Sequence, residues 1–114
     1  MALHATHRDA GAVTVVDLSG RITLGDGSAL LRKTIRGLLD EQRTKILLNL
    51  ADVDYIDSSG IGELVSGYTA VKNRNGELKL LQLTKKVRDL LQITKLFTVF
   101  DVYTEERTAL ASFN

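Results

Sequence analysis

Five consecutive positions near the middle of the chain, from Ile46 to Leu50, form an almost continuous apolar run of strand length. Such a run is typical of a strand buried on both faces, as parallel strands of α/β sheets are. Apolar residues at helical spacing flank it on both sides, over residues 28–42 and again after residues 51–57. The run therefore predicts a central strand with a helix before it and, after a loop at 51–57, a helix behind it.

The remaining segments continue this alternation of strand and helix. Residues 3–8 and 13–19 predict an antiparallel hairpin, and residues 78–83 and 98–102 predict two further strands. The predicted order is ββαβαβαβα, which is an α/β fold with a mostly parallel sheet, an N-terminal antiparallel hairpin and four main helices. We expect all 114 residues, 1–114, to form one domain.

Polar residues at the predicted helix starts suggest where each helix begins. Asp26 or Ser28 is the expected N-cap of the first helix, Thr84 that of the third and Thr104 that of the fourth. The segment Gly25-Asp26-Gly27 is interpreted as a flexible loop before the first helix, because it lacks the third glycine of a dinucleotide loop and the lysine of a P-loop.

Composition excludes several classes of function. With 15 Lys and Arg against 14 Asp and Glu, the chain lacks the basic surface of a protein that binds nucleic acid or anionic membranes. A small basic cluster, Lys85, Lys86 and Arg88, is interpreted as a solvated helix face. There is no cysteine, no signal-peptide core and no apolar run of about 18 residues. We expect a cytoplasmic protein that binds neither nucleic acid nor membrane.

The turn that opens the second helix, Asp57-Ser58-Ser59-Gly60-Ile61-Gly62, is the candidate site, because ligand sites of α/β sheets lie where strands end and helices begin. One capping side chain is enough for a helix, and each helical glycine costs up to about 1 kcal/mol relative to alanine. Two interpretations stay open. Either one polar residue caps the helix and the glycines permit close packing, or the turn is a functional site where a phosphorylated serine is tolerated.

Familiar catalytic and metal-binding patterns fit this chain poorly. A serine-hydrolase elbow, G-x-S-x-G, needs glycine where Asp57 stands, and the two histidines, His4 and His7, lie far away in the first strand. Three positions apart on a strand, these histidines point to opposite faces and cannot chelate one ion together. We therefore expect no catalysis, no metal and no cofactor.

The order of elements and the string Asn49-Leu50 … Ile56-Asp57-Ser58-Ser59-Gly60-Ile61-Gly62 together resemble the STAS domain, specifically the bacterial anti-sigma factor antagonists. The resemblance extends over the chain, through Gly20-Arg21-Ile22 and Gly76 to Lys95-Leu96-Phe97. Its most specific motif is the D-S-[ST]-G turn. The resemblance implies that Ser58 accepts phosphate from a partner that is both a serine kinase and an anti-sigma factor, with Ser59 as the second choice.

The resemblance also implies a cycle of binding and release. The unphosphorylated antagonist binds the kinase and frees a sigma factor, the kinase uses ATP to phosphorylate it, and a phosphatase of the PP2C type restores it. The partner surface implied here includes the loop before the first helix, where Thr23 stands in place of the aspartate of many relatives. The expected contact residues are Arg21, Thr23, Gly25, Asp26, Asp57, Ser58, Ser59, Gly60 and Gly62, on a monomer or weak dimer.

In this hypothesis Asp57 orients the acceptor serine or tunes its charge, and Gly60 and Gly62 allow close approach of the kinase. Two other functions stay open: a STAS scaffold subunit of a large stress-signalling assembly, and a module that binds a small ligand or nucleotide. The size of the particle in solution would identify the scaffold subunit. A thermal shift with nucleotides or phosphate would identify the ligand-binding module. A Ser58 enclosed by surrounding atoms would contradict the phosphorylation hypothesis.

Overall fold

The computed structural model describes residues 2–114 and has the predicted ββαβαβαβα order. The first part of the chain forms an antiparallel hairpin, and the remainder alternates between helix and strand. The strands are β1 (His4–Ala10), β2 (Val13–Ile22), β3 (Lys45–Ile56), β4 (Glu77–Leu81) and β5 (Val102–Tyr103), and the helices are α1 (Asp26–Asp40), α2 (Ser58–Asn73), α3 (Lys85–Ile93) and α4 (Glu106–Ala111).

The five strands form one mixed sheet in sequence order, β1-β2-β3-β4-β5. The β1–β2 pair is antiparallel, and the other three pairs are parallel. The predicted fold class is confirmed, and β3 is the central strand. Because parallel strands joined by helices bring their carboxyl ends to one edge, the segments that follow β2, β3 and β4 lie at the same end of the molecule.

Apolar residues of β3 face two separate cores on opposite sides of the sheet. Leu48 is buried in the larger core together with residues of α1, α2 and α3. Leu47, its neighbour in the chain, is buried in the smaller core against Ala109 of α4. The continuous apolar run at 46–50 is thus covered on both faces, which is the physical reason for its composition.

The loop predicted at residues 51–57 is mostly strand, and that prediction was wrong. Strand β2 continues to Ile22 rather than ending near Ser19, so β3 has a partner as far as Ile56. The pairing contains two register shifts, which break the alternation that would have indicated a strand. The last residues of β3 extend past β4, whose pairing with β3 ends at Leu81 opposite Asn49.

The last predicted strand, 98–102, was also placed wrongly. Only Val102–Tyr103 pairs with β4, because the chain before it turns back on itself, with the N–H of Val99 donating to the carbonyl of Leu96 (N···O 3.0 Å). Other predicted boundaries, including those at 3–8, 28–42 and 78–83, differ from the observed ones by a few residues.

Two of the predicted helix caps were wrong. Helix α1 begins at Asp26 after Gly25, which has φ 96°, a conformation that glycine adopts without strain. Helix α4 has Glu105 rather than Thr104 at its N-cap. Thr84 does occupy the N-cap position of α3, but its hydroxyl donates to the carbonyl of Val53 (O···O 2.8 Å) instead of capping the helix. The Thr84 side chain thus bonds to β3 rather than to its own helix.

Candidate functional site

The candidate site lies where β3 ends and α2 begins. Asp57 is the N-cap residue, and its Oδ1 accepts a hydrogen bond from the N–H of Gly60 (2.9 Å). Among the polar residues of the turn, Asp57 is therefore the one that caps the helix. Ser58 is the first residue of the helix and is exposed, whereas Ser59 is half-buried. The exposure that the phosphorylation hypothesis requires is present at Ser58.

Asp57 also joins this turn to the loop between β2 and α1. Its second oxygen, Oδ2, accepts from the N–H of Leu24 (2.9 Å), and its own N–H donates to the carbonyl of Ile22 (3.2 Å). The N–H of Gly60, followed by that of Leu24, lowers the pKa of the Asp57 carboxyl below its usual value, because both stabilise the charged form. The two segments expected to form one partner surface are thus held together by one carboxylate.

We expect Asp57→Asn to destabilise the protein at neutral pH, because an amide oxygen replaces only one of the two acceptors and the charge is lost. Since folding lowers the Asp57 pKa, its contribution to stability is present at neutral pH and is lost as the pH falls below about 4. Urea unfolding from pH 7 to pH 3 measures both effects. We expect the difference in free energy of unfolding between the variant and the wild type to shrink as the pH falls.

The control for this experiment is Asp52→Asn, which removes an exposed carboxylate from the same stretch of chain. Asp52 accepts no hydrogen bond from any side chain or loop N–H among residues 2–114. A destabilisation by Asp57→Asn that stays constant from pH 7 to pH 3 would contradict the role of the carboxylate charge.

Three large apolar side chains are exposed on the segments that meet at this turn or border its groove, and we call these three the apolar rim. Leu24 is 78% exposed, Ile93 77% and Tyr55 43%. Leu24 adjoins Asp57 through the backbone hydrogen bond described above, and Tyr55 and Ile93 border the same groove as Ser58. Apolar side chains grouped on the surface of a small domain are typical of a site that contacts another protein.

The groove runs between the start of α2 and one face of α3 and has a volume of about 550 Å³. The sequence did not indicate this groove, because which residues of α3 face outward depends on how the helix packs on the sheet. Val87 and Leu91 of α3 are buried, whereas Ile93 faces outward. The residues that border the groove are Tyr55, Ile56, Asp57, Ser58, Lys86, Asp89, Leu90 and Ile93.

The other predicted contact residues lie on the loop beside this turn. Arg21 is exposed, with its guanidinium carbon 5.7 Å from the ring centre of Tyr55 and its Nε 3.9 Å from Asp54. The half-buried Thr23 accepts two hydrogen bonds from Ser28, one from the N–H and one from the hydroxyl (2.9 Å each). Gly25 and Asp26 are both exposed. The loop therefore presents charged and small residues next to the apolar rim.

The glycines of the two segments have different surroundings. Gly60 is buried, and a Cβ there would overlap the carbonyl oxygen of Ile22 and lie 2.6 Å from Cγ1 of Ile56. Gly27 is also buried in α1 rather than in a flexible loop, and a Cβ there would lie 2.8 Å from the carbonyl oxygen of Arg21. Gly62 is exposed, with open space where a Cβ would be. Packing of the helices on β2 accounts for the first two glycines but not for Gly62.

Neither a metal site nor a membrane span is found in the part of the chain that the structure describes. Residues 2–114 contain no group of three or more His, Asp or Glu side chains able to hold a metal ion. His4 and His7 are both exposed on β1. None of the helices formed by the same residues is both long and apolar enough to cross a membrane.

Comparison with known sequences identifies the family. The model of the STAS domain matches residues 5–109. The anti-sigma-B factor antagonist of Bacillus subtilis is 33% identical over 87 residues, which are 76% of this chain and 78% of that protein. The anti-sigma F factor antagonist of Paenibacillus polymyxa is 26% identical over 98 residues, covering 86% of this chain and 84% of that one.

Solved structures share the same fold. An anti-sigma factor antagonist from Mycobacterium paratuberculosis matches with a TM-score of 0.87 at 20% identity, covering 98% of this chain and 94% of that one. The phosphorylated form of the Bacillus cell fate determinant SpoIIAA matches with a TM-score of 0.74 at 19% identity, covering 95% and 97%. The chain belongs to the STAS domain family, and its relatives place it among the bacterial anti-sigma factor antagonists.

Proposed function

We propose that this protein binds an anti-sigma factor through the surface around Ser58, and that phosphorylation of Ser58 by the same partner ends the binding. The observation that carries the proposal is the exposed hydroxyl of Ser58 at the start of α2, beside the apolar rim of Leu24, Tyr55 and Ile93. The names of the relatives and a fold neighbour solved in a phosphorylated form support it.

The position of Ser58 suits a modification that leaves the fold unchanged. Its side chain borders an open groove, so added bulk displaces solvent rather than core. A phosphate brings about −1.5 to −2 charge next to the ionised Asp57, whose oxygens already accept from two backbone N–H groups. The repulsion directs the phosphate outward, towards the surface that the partner would occupy.

The transfer needs only an acceptor hydroxyl from this chain. Oγ of Ser58 attacks the γ-phosphorus of ATP held by the partner, a new O–P bond forms, and the bond to the β-phosphate oxygen breaks to release ADP. The hydroxyl proton passes to a base on the partner kinase. A phosphatase of the PP2C type would then use water to return the hydroxyl and release inorganic phosphate. The chain itself binds no cofactor in this scheme. Because the partner kinase needs ATP, the scheme favours a cytoplasmic location.

The free energies of the competing effects show which of them can release the partner. Moving a partner from almost fully bound to almost fully free takes about 5.5 kcal/mol of differential affinity. The interaction of an anion with a helix N-terminus amounts to about 0.3–1 kcal/mol, which is too small. An unpaired charge buried in a protein interface costs about 2–5 kcal/mol or more. Charge and steric conflict in the desolvated interface must therefore supply most of the switch.

The proposal predicts where phosphate is added. Incubation with candidate anti-sigma factor kinases and ATP, followed by fragmentation mass spectrometry, is expected to locate one phosphate on Ser58. Ser58→Ala abolishes the modification, and Ser59→Ala, which removes the neighbouring half-buried hydroxyl, preserves it. Phosphate found outside residues 57–60 would overturn the assignment.

A further inference from the structure

One face of α3 lies across the groove from Ser58. Lys86, Asp89, Leu90 and Ile93 recur at helical spacing, so their side chains share a single face, and all four border the groove together with Ser58. The groove volume of about 550 Å³ is several times that of a phosphate group. A phosphate on Ser58 therefore enters a space whose opposite wall is this face of α3.

The charged groups that border the groove are Asp57, Asp89 and Lys86. Asp57 accepts hydrogen bonds from Gly60 and Leu24, as described above. Asp89 is paired with Lys85, whose Nζ lies 2.8 Å from its Oδ2. Lys86 is exposed and has no ion pair or side-chain hydrogen bond within residues 2–114. It is thus the one cation of the groove that is available for a new anion.

Other groups near Ser58 are poorly placed to receive a phosphate. The N–H of Gly60, which a phosphate could otherwise reach, already donates to Asp57. Arg21 does not border the groove, and its guanidinium lies over Tyr55 with Asp54 close by. Lys86 is the basic residue that remains on the groove wall.

We propose that Lys86 is the counter-ion of the phosphate on Ser58, and that this ion pair bridges α2 and α3 in the phosphorylated protein. The inference rests on phosphorylation of Ser58, which is part of the proposed function. The bridge holds the phosphate in one place and occupies part of the groove between Tyr55 and Ile93. Phosphorylation then closes part of the apolar surface to a partner, in addition to placing a charge on it.

The test uses protein in which phosphoserine is incorporated at position 58 during translation, so that no kinase is required. A ³¹P NMR titration measures the second pKa of the phosphate. An exposed ion pair contributes about 0.2–1 kcal/mol, and we therefore expect Lys86→Gln to raise this pKa by about 0.2–0.7 pH units. Lys86→Arg keeps the positive charge and is expected to keep the pKa of the wild type.

The matched control is Lys72→Gln, which removes the same charge from the last turn of α2, about 20 Å along the helix from Ser58. This variant is expected to leave the phosphate pKa unchanged. Equal phosphate pKa values in the wild type, Lys86→Gln and Lys72→Gln would overturn the proposal. Because Lys86 is exposed, its replacement should leave the fold intact, which urea unfolding of each phosphorylated variant checks.

Failure of this inference and failure of the proposed function are distinguishable. If Lys86→Gln raises the phosphate pKa but no anti-sigma factor kinase modifies Ser58, the ion pair exists and the proposed function is wrong. If kinases modify Ser58 but the substitution leaves the pKa unchanged, the switch operates without Lys86.

Discussion

Ser58→Asp is expected to weaken binding to the anti-sigma factor kinase by about thirtyfold or more, whereas Ser58→Ala should bind as tightly as the unphosphorylated wild type. The aspartate places a negative charge at the centre of the proposed interface, and desolvation of such a charge costs about 2–5 kcal/mol. Removal of a small exposed hydroxyl leaves the apolar rim and the Asp57 contacts in place. Isothermal titration calorimetry without ATP measures the three dissociation constants.

The matched control is Asn73→Asp, which adds one negative charge to an exposed position at the other end of α2. Its affinity should equal that of the wild type, because the charge lies about 22 Å along the helix from Ser58. Equal affinities of the wild type, Ser58→Ala and Ser58→Asp for the kinase would contradict the proposed mechanism. With ATP present, Ser58→Ala should stay bound while the wild type is released.

Gly60→Ala is expected to lower the free energy of unfolding by about 1–3 kcal/mol or more, as overpacking a close contact does. The added methyl group would overlap the carbonyl oxygen of Ile22, which belongs to the backbone of β2 and cannot rotate away. Relief requires α2 to move from the sheet, and such a shift would also disturb the two hydrogen bonds of Asp57. Urea unfolding of the purified variant measures the change.

Gly62→Ala provides the control, two residues further along the same helix. Its Cβ meets open space, so we expect stability to rise by about 0.5–1 kcal/mol, the usual gain when alanine replaces a glycine inside a helix. If this more stable variant binds the kinase more weakly, Gly62 serves close approach of the partner. Equal destabilisation by both alanines would contradict the packing role of Gly60.

Much of the architecture could be predicted because its signals are local. The apolar run at 46–50 predicts a strand buried on both faces, and the helical spacing of Ile61 and Leu64 predicts a helix immediately afterwards. Where pairing partners decide the structure, prediction failed. Residues 51–56 form a strand only because β2 extends beside them, and residues 98–101 leave the sheet because the chain turns at Val99.

The candidate turn itself was also recognisable, since two serines, a carboxylate and two glycines exceed what one helix start needs. The surroundings of the turn could not be recognised from the sequence. Leu24 and Asp57 lie 33 positions apart in the chain, and nothing in either segment indicates that the carboxylate accepts from that particular N–H. The exposed Ile93 and Lys86 resemble ordinary helix residues until α3 is seen beside Ser58.

The amino-acid sequence by itself determined the order of the elements, the central strand and the segment that holds the proposed acceptor serine, because periodicity and turn chemistry act between residues close in the chain. Tertiary structure alone decided that Ser58 faces a groove, that Asp57 links the start of α2 to the loop before α1, and that Gly60 packs on β2. These features depend on contacts between distant segments, and such contacts exist only after the hydrophobic core has brought the helices onto the sheet.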